Sequence, residues 1–491
     1  MTLSPSLRIA IDIGGTFTDT VLIRGHQEIL ASSKNLTTAT DPAEGAREGA
    51  KRVLQLSGHS IEDVNGFIHG TTLATNALIE RQGACVASIT TEGFRDILEI
   101  GYERRYSQYD INLNKTEPLV PRERSFTVRE RVDVDGNVLI PLDPSRLDEL
   151  ISKLDACGAA AVAICLLHSY ANPAHEQKLR ALLNKHRPGL AISISSEVSP
   201  EAREYERLST TVANAYIQPL MKDYLQELAG AFSADGLNCP ILVMTAGGGM
   251  CTLDTATRFP IRLVESGPAG GAILAAQIAR QAGLDEVLSL DIGGTTAKLC
   301  LIDEGVAQTS RQFEIARAER FIKGSGIPVR IPVIEMIEIG AGGGSIAAVD
   351  RLGRLTVGPR SAGSDPGPAA FDRGGHLPTV TDADILLGYI PTETFAEGRL
   401  SINTDAADEA LVRDIGSALD LDAVGAADGV SRIVDENMAS AGRMHAVESG
   451  KDLESRTMIA FGGNGPLHAT RVARSAGVRR IVIPANPGVG S

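Results

Sequence analysis

Short apolar runs separated by glycine-containing turns open the chain. The run Leu7–Asp12 stops at the turn Ile13–Thr16, and a second apolar run, Thr20–Arg24, follows directly. Two strands joined by a tight glycine turn predict a β-hairpin. A helix is predicted next at about Pro42–Ser57, with Asp41 as its cap and proline in its first turn.

Strand-like and helix-like patterns then alternate. Phe67–His69 leads into Gly70-Thr71-Thr72 and a predicted helix at Leu73–Gln82. Predicted helices at 143–157 and 173–187 flank a strand at 158–167. This alternation is typical of α/β proteins with a parallel or mixed sheet.

The opening hairpin pattern recurs once. Leu288–Ile302 repeats the order of Ile9–Ile23: an apolar strand, Asp, Ile-Gly-Gly-Thr, a further Thr, and a second apolar strand. Asp12 and Asp291 are the equivalent aspartates, 279 residues apart. That spacing is too long for a solenoid repeat and predicts internal duplication of a nucleotide-binding unit.

A third glycine turn, Phe461–His468, lies between a predicted strand at Thr457–Ala460 and a predicted helix that runs to about Ser475. A glycine-rich turn at a helix N-terminus can place backbone N–H groups against an anion. One glycine pair alone is more often a structural turn. Three such turns together favour a phosphate site.

Composition narrows the class of protein. The 491 residues are 43% apolar and 22% charged, which is ordinary for globular proteins and sufficient for two to four domains. A net charge of −14 argues against a broad surface for nucleic acid or anionic lipid, and the lack of Trp leaves few stacking platforms. No basic n-region with an apolar h-region opens the chain, no stretch reaches 18 apolar residues, and six scattered cysteines form no metal-type pair. We therefore expect a cytoplasmic protein with reduced thiols.

The duplicated hairpins suggest polyphosphate chemistry. Backbone amides and Thr hydroxyls of two hairpins could hold a triphosphate, and Asp12 and Asp291 could bind Mg²⁺ through water. The chain has no G-x-x-x-x-G-K-[ST], so it is not a P-loop NTPase. Each candidate also has a structural alternative: a turn-capping Asp, a strand Thr, or an exposed strand Lys. The predicted nucleotide contacts are Gly14, Gly15, Thr16, Thr18, Gly293, Gly294, Thr295, Thr296, Lys298, Gly462, Gly463 and Asn464.

The two D-I-G-G-T hairpins and the F-G-G-N-G-P turn resemble the phosphate and adenosine motifs of the actin-like ATPase fold, which sugar kinases, actin and heat-shock ATPases share. More narrowly, a series of stretches across the chain is similar to the hydantoinase A/5-oxoprolinase family. They are IDIGGTFTD (11–19), HGTTLATNALIER (69–81), EGFRDILEIGYERR (92–105), ESGPAGG (265–271), LDIGGTTAK (290–298), IGAGGGSIA (339–347), GSDPGPAAF (363–371), TVTDADILLG (379–388) and AFGGNGPLH (460–468).

This resemblance implies a duplicated actin-like α/β fold with inserted segments. It implies an N-terminal hydantoinase/oxoprolinase domain at 1–200 with the first hairpin. A hydantoinase A-like domain at 201–491 would carry the second hairpin and the adenosine-type turn, with an inserted subdomain at about 350–435. Family members usually continue beyond the element at 484–491, so we expect a truncated or split member.

The resemblance also implies ATP- and Mg²⁺-dependent hydrolysis of a cyclic amide, such as a hydantoin, 5-oxoproline or another lactam, often together with a hydantoinase B-type subunit in an oligomer. Asp12 and Asp291 would be catalytic, and His69 and Arg104 would serve the acceptor. A structural histidine and a solvated charge run are the alternatives for the last two. Other functions remain open: the ATP-hydrolysing subunit of an acetone- or acetophenone-type carboxylase acting on a ketone, a non-catalytic actin-like ATPase module or, less favoured, a sugar kinase. Glu265, Asp365, Asp382 and Asp384 are further carboxylates in turns, and His168 and His468 carry no metal-ligand pattern.

Overall fold

The computed structural model describes residues 6–14, 17–25, 28–37, 42–103, 105–113, 115–317, 324–363, 365–393, 395 and 401–489. The chain forms two compact units. Unit 1 comprises Met1–Asn65, Gly267–Thr309 and Ile334–Ser491, and unit 2 comprises Gly66–Ser266 and Ser310–Val333. The predicted domain boundary near residue 200 is a division of the linear sequence, whereas the two compact units are defined by contacts in space. The domain boundary therefore stays a prediction.

Unit 1 begins with the first predicted hairpin. Strands β1 (Leu7–Ile13), β2 (Phe17–Arg24) and β3 (Glu28–Leu36) form antiparallel pairs, β1 with β2 and β2 with β3. Alternate residues of β1 are buried, because a strand turns successive side chains to opposite faces. Helix α1 (Pro42–Ser57) has the predicted bounds and packs on these strands. Its predicted cap, Asp41, lies outside the described residues.

The second hairpin of unit 1 is built like the first. Strands β13 (Glu286–Ile292) and β14 (Ala297–Asp303) are antiparallel, with Asp291 opposite Lys298. In the first hairpin Asp12 is opposite Asp19, which is the same register 279 residues earlier. The duplicated hairpin is therefore confirmed at the level of strand pairing.

A mixed sheet surrounds this second hairpin. Its order is β15-β14-β13-β23-β24, with β20 also paired to β14. Strand β13 is parallel to β23, and β23 is parallel to β24, as expected where helices connect the strands. The added strands are β15 (Val306–Ala307), β20 (Met336–Ile339), β23 (Thr457–Phe461) and β24 (Arg480–Val482).

Helices cover both faces of that sheet. Alanines of α9 (Ser266–Ala282) pack with Val287, Cys300 and Ile302 on one face. Leu288 and Leu290 point to the other face, where they join one core with α10 (Val380–Leu386), α13 (Ala423–Glu448) and α14 (Gly465–Ala476). The alternation of adjacent strand residues between two apolar layers explains why β13 is buried over most of its length. The remaining elements of unit 1 are β21 (Ser345–Val349), β22 (Leu355–Ser361), α11 (Thr404–Leu411) and α12 (Ser417–Leu419).

Unit 2 is centred on a parallel sheet of order β10-β9-β5-β6. Its strands are β5 (Val86–Thr91), β6 (Ser125–Val128), β9 (Ala161–Cys165) and β10 (Ala191–Ile194). Helices α4 (Leu147–Ala156) and α5 (Ala174–His186) share a core with it, and the long helix α7 (Glu204–Ala234) also packs on its strands. The βα alternation predicted over 143–187 is confirmed.

Three further strands of unit 2 hold one of the predicted sites. Strand β4 (Gly66–Thr71) is parallel to β11 (Ile241–Met244), and β12 (Met250–Thr252) is antiparallel to β11. Helix α2 (Leu73–Ile79) follows β4 and ends short of the predicted Gln82. Arg81 has a positive φ of 59°, which a helix cannot accommodate. The other elements are α3 (Ile97–Ile100), β7 (Arg131–Val132), β8 (Val138–Ile140), α6 (Ser195–Val198), α8 (Leu253–Arg258), β17 (Phe313–Ile315) and β18 (Ile327–Val329); β16 (Thr309–Ser310) and β19 (Val333–Ile334) lie where the units divide.

The α/β fold class and the duplicated hairpin are both confirmed by these elements. All six cysteines are free thiols, and those of Cys165 and Cys300 are buried. No helix within the described ranges has the length and apolar character needed to cross a bilayer.

Candidate functional site

Two equivalent rows of charged side chains cross the two hairpin sheets of unit 1. In the first sheet, Asp12 on β1 is opposite Asp19 on β2, which in turn is opposite Lys34 on β3. In the second sheet, Asp291 on β13 is opposite Lys298 on β14, which is opposite Glu338 on β20. We call these the first and second charged rows.

Each row contains an ion pair. The Lys34 ammonium donates to both oxygens of Asp19, at 2.8 and 2.7 Å. In the second row the signs are exchanged, and Lys298 Nζ lies 3.6 Å from Glu338 Oε1. With all groups ionised, four carboxylates and two ammonium groups leave the rows with two negative charges.

Helix α9 lies against both leading aspartates of the rows. A Cβ on Gly267 would lie 3.5 Å from Asp12 Oδ1, and a Cβ on Gly271, one turn later, would lie 3.6 Å from Asp291 Oδ2. Residues four apart share one face of a helix. The glycines therefore present a bare helix face to both carboxylates.

Burial and crowding of like charge disfavour ionisation of the aspartates. Burial raises the pKa of Asp12 to about 7, with Asp19 and Asp291 adding to the rise and Lys298 opposing it. Burial also raises the pKa of Asp291 to about 6, against the opposing effect of Lys298. Asp12 Oδ1 is buried and accepts no hydrogen bond from any described residue.

A divalent cation fits this chemistry. It would neutralise the two excess charges and give Asp12 Oδ1 a partner, and Mg²⁺ commonly binds one or two carboxylates and otherwise water or phosphate. No three His, Cys, Asp or Glu side chains converge into a metal site within the described part of the chain. Any Mg²⁺ here would therefore be bound mainly by water and by a substrate's phosphates, as predicted for Asp12 and Asp291.

Glycine-rich segments surround the second row. Gly343 and Gly344 donate from their backbone nitrogens to the carbonyls of Gly293 and Gly294, at 3.2 and 2.6 Å. Gly462 has a φ of 85°, and a Cβ there would lie 2.4 Å from Asp291 Oδ1. The turn after Asp291, the segment 340–344 and the turn that begins at Phe461 therefore lie together beside Asp291.

Several predicted nucleotide contacts have structural partners. Asn464 donates through Nδ2 to the Gly293 carbonyl at 2.9 Å, so its side chain holds the second turn. Thr18 is fully buried with its Oγ1 3.1 Å from that of Thr37, which donates to the Gly14 carbonyl. Thr295 is exposed and Gly463 borders open space. Gly15 and Thr16 lie outside the described residues.

Lys34 and Glu338 were not predicted from the sequence as site residues. Both lie on a third strand, and each is identified only by the pairing register of that strand with its hairpin. Lys34 lies on the strand that directly follows its hairpin, whereas β20 follows β14 only after β15 to β19, so the neighbouring sequence does not point to Glu338.

Unit 2 holds the predicted acceptor residue His69. It lies near the carboxyl end of β4, is fully buried, and has its Nε2 2.7 Å from the Tyr224 hydroxyl on α7. Parallel strands β4 and β11 end side by side here, which is where α/β proteins place ligands. Arg104 lies outside the described residues, so its predicted role stays a prediction.

Other predicted carboxylates have structural roles. Asp382 accepts hydrogen bonds from the backbone of Ala369 and Ala370 and from Thr379, and so caps α10. Asp384 belongs to a buried cluster in which His468 bonds to Asp384 and Asp435.

The chain matches known families over most of its length. Residues 207–491 match the model described as hydantoinase/oxoprolinase, and residues 8–187 match the one for the N-terminal region of that family. An uncharacterized protein of Methanocaldococcus jannaschii is 38% identical, with 99% of this chain aligned to 71% of that protein. The caprolactamase subunit alpha of Pseudomonas jessenii is 34% identical over 97% of this chain and 68% of its own. The 5-oxoprolinase of Saccharomyces cerevisiae is 31% identical over 97% of this chain but only 40% of its own length.

Two solved structures share the fold. Nucleotide-free acetone carboxylase superposes with a TM-score of 0.87 at 26% identity, covering 99% of this chain and 69% of that one. The ATP-dependent caprolactamase of Pseudomonas jessenii superposes with a TM-score of 0.81 at 32% identity, covering 98% and 70%.

The shared fold places the chain in a class of α/β proteins that includes an ATP-dependent caprolactamase and an acetone carboxylase. Within that class, the chain belongs to the hydantoinase/oxoprolinase family, as the resemblance implied.

Proposed function

We propose that this chain is the ATP-hydrolysing subunit of a cyclic amidohydrolase that activates a lactam or hydantoin by phosphorylation. The observation that carries the proposal is the pair of charged rows, which leaves two excess negative charges beside a bare helix face. The Mg²⁺ ion that accompanies a nucleotide triphosphate would supply the opposite charge beside the carboxylates. The likeness to caprolactamase and 5-oxoprolinase supports a cyclic amide as substrate.

In this proposal the residues of unit 1 bind the nucleotide. Asp12 and Asp291 hold Mg²⁺ through water, and the backbone amides of the two hairpin turns face the phosphates. Lys298, which lies 3.6 Å from Glu338 Oε1, would pair with the charge of the transferring phosphoryl group. Bound MgATP supplies the phosphoryl group and the cation; the protein's part is positioning and charge stabilisation.

Residues of unit 2 serve the acceptor. A neutral His69, held by the Tyr224 hydroxyl, would donate a hydrogen bond to the substrate carbonyl and fix its orientation. Arg104 is proposed alongside it for a negatively charged part of the substrate. Because the matched caprolactamase chain is called a subunit, we propose that a second, hydantoinase B-type chain completes the enzyme.

A carboxylase function is the second candidate. The fold match to acetone carboxylase favours it specifically, since the same activation would phosphorylate an enol oxygen or bicarbonate instead of an amide oxygen. Stimulation of phosphate release by ketone with bicarbonate, and not by lactam, would identify this function.

The test is ATP turnover in Asp12→Asn and Asp291→Asn. Each should lower turnover by about 100-fold or more, equivalent to about 2.7 kcal/mol of barrier, because the cation loses a charged partner. Glu286→Gln is the matched control, since Glu286 lies on the same strand as Asp291 but is exposed. Phosphate release at wild-type rate in both asparagine variants would refute the site. A second measurement, stimulation of phosphate release by a panel of cyclic amides, tests the substrate class.

A further inference from the structure

Three consecutive glycines, Gly342 to Gly344, lie beside the second hairpin turn, and close approach to the backbone of that turn explains two of them. A Cβ on Gly342 would lie 2.6 Å from the Thr295 carbonyl carbon. A Cβ on Gly344 would lie 3.1 Å from the Gly294 carbonyl oxygen. Because backbone atoms cannot rotate aside as the end of a side chain can, side chains at these two positions would push the turn away.

Gly343 is different, because the three atoms nearest to a Cβ at this position belong to side chains. Such a Cβ would lie 2.5 Å from Asn464 Nδ2 and 2.8 Å from Thr381 Oγ1. Gly343 is not among the glycines with positive φ, so its backbone conformation does not require glycine. Its lack of a side chain therefore leaves room for two polar groups, the Asn464 amide and the Thr381 hydroxyl.

The Thr381 hydroxyl is available to a ligand. The backbone nitrogen of Thr381 donates to the Gly343 carbonyl at 2.7 Å and fixes the residue beside that glycine. Within the described part of the chain, no residue hydrogen-bonds to Thr381 Oγ1. The residue is 6% exposed, and its unpaired hydroxyl belongs to that exposed part rather than to the enclosed atoms. Asn464 Nδ2, in contrast, already donates to the Gly293 carbonyl.

Helix capping does not account for this hydroxyl. Thr381 lies in the first turn of α10, where the capping pair consists of Thr379 and Asp382. The contact between α10 and the segment 340–344 does not use the hydroxyl either, because the backbone nitrogen of Thr381 makes that contact. Among the described residues, the hydroxyl therefore has no structural partner.

The turn next to Gly343 offers further hydrogen-bond donors. The Gly343 nitrogen donates to the Gly293 carbonyl, which fixes Gly343 against this turn. The backbone nitrogens of the next two residues, Gly294 and Thr295, have no acceptor among the described residues, and Thr295 is exposed. A hydroxyl and two amides favour a ligand group that only accepts hydrogen bonds, and phosphate oxygens are strong acceptors.

We propose that the Thr381 hydroxyl donates a hydrogen bond to a phosphate oxygen of the nucleotide bound in unit 1. The inference rests on the proposed function and adds to that site a residue outside both hairpins and outside the third turn. A hydrogen bond to a charged acceptor is stronger than one to a neutral group, so removal of the hydroxyl should lower nucleotide affinity measurably.

Calorimetry of MgATP binding to the full chain tests this contact. Thr381→Val replaces the hydroxyl with a methyl group, retains the backbone bond to Gly343, and should weaken MgATP binding by about tenfold or more. Thr381→Ala, measured alongside, should lose as much affinity, whereas Thr381→Ser keeps a hydroxyl and should bind within about threefold of wild type. Thr356→Val is the matched control, because the Thr356 hydroxyl on β22 donates to the Ala348 carbonyl, and it should bind MgATP like wild type.

Deoxynucleotides distinguish a phosphate contact from a ribose contact. The affinities for 2′-deoxy-ATP and 3′-deoxy-ATP should fall in Thr381→Val by the same factor as the affinity for ATP, because the phosphates are unchanged. MgATP affinity of Thr381→Val and Thr381→Ala within about twofold of wild type, or a loss that disappears with either deoxynucleotide, would overturn the inference while leaving the proposed function intact. If the wild type does not bind MgATP, the proposed function fails, and this inference fails with it.

Discussion

His468 should make the stability of unit 1 depend on pH. It lies fully buried on α14, with Nδ1 2.7 Å from Asp435 Oδ1 on α13 and Nε2 3.1 Å from Asp384 Oδ2 on α10. Burial alone lowers the pKa of this imidazole, but the two aspartates outweigh burial and raise the pKa from 6.5 to about 9. A protonated His468 therefore links three helices through charged hydrogen bonds.

The sign and size of the effect follow from these pKa values. A histidine whose pKa is raised in the folded state contributes its full stabilisation of that state at pH values below the pKa of the unfolded chain, near 6.5. This contribution to the free energy of unfolding is lost as the pH rises through about 9. The shift of about 2.5 units, at 1.36 kcal/mol per unit, corresponds to about 3 kcal/mol. Replacing His468 with Gln, which cannot titrate, removes the dependence.

Hydrogen exchange is the suitable assay, because a chain with two compact units need not unfold in one step. Opening free energies of peptides from α13 and α14 are compared between pH 6.5 and 9.5 after correction for intrinsic exchange. Wild type should lose about 3 kcal/mol relative to His468→Gln across this range. His186→Gln, at the exposed end of α5, should follow wild type. Parallel pH curves for wild type and His468→Gln would refute a protonated histidine between the two aspartates.

Three further outcomes are expected. Gly462→Ala should weaken ATP binding at least tenfold by calorimetry, because the new methyl group would displace Asp291. The control Gly463→Ala should bind ATP normally, since Gly463 faces open space, and equal ATP affinities of the two variants would contradict the predicted role of this turn. Tyr224→Phe and His69→Ala should both reduce substrate-stimulated phosphate release, by roughly tenfold for the lost hydroxyl, with ATP affinity retained. Parallel loss of ATP affinity would instead assign His69 to the nucleotide site. The chain purified alone should be oligomeric or marginally stable by light scattering, and a product assay should detect little ring-opening activity. A stable monomer with full turnover would exclude an obligatory partner.

The local sequence pattern was sufficient to predict the secondary-structure elements that carry the candidate site. Strands β1 and β2, like β13 and β14, follow one another closely in sequence, so the pairing register within each hairpin depends little on the rest of the chain. The same is true of α1, whose proline and apolar spacing predicted its observed bounds. For these reasons Asp12 and Asp291 could be recognised as equivalent from the sequence.

What the tertiary structure decided is which distant residues complete each site. Lys34 and Glu338 enter the rows only because β3 and β20 pair with their hairpins, and Glu338 is 40 residues from its partner Lys298. His468 meets Asp435 and Asp384 across sequence separations of 33 and 84 residues. The backbone nitrogen of Glu265 likewise donates to Thr75, which lies 190 residues earlier. Hydrogen bonds and charge pairs act over a few ångströms in space, so the chain pattern determines the strands and turns, and only packing determines which charges meet.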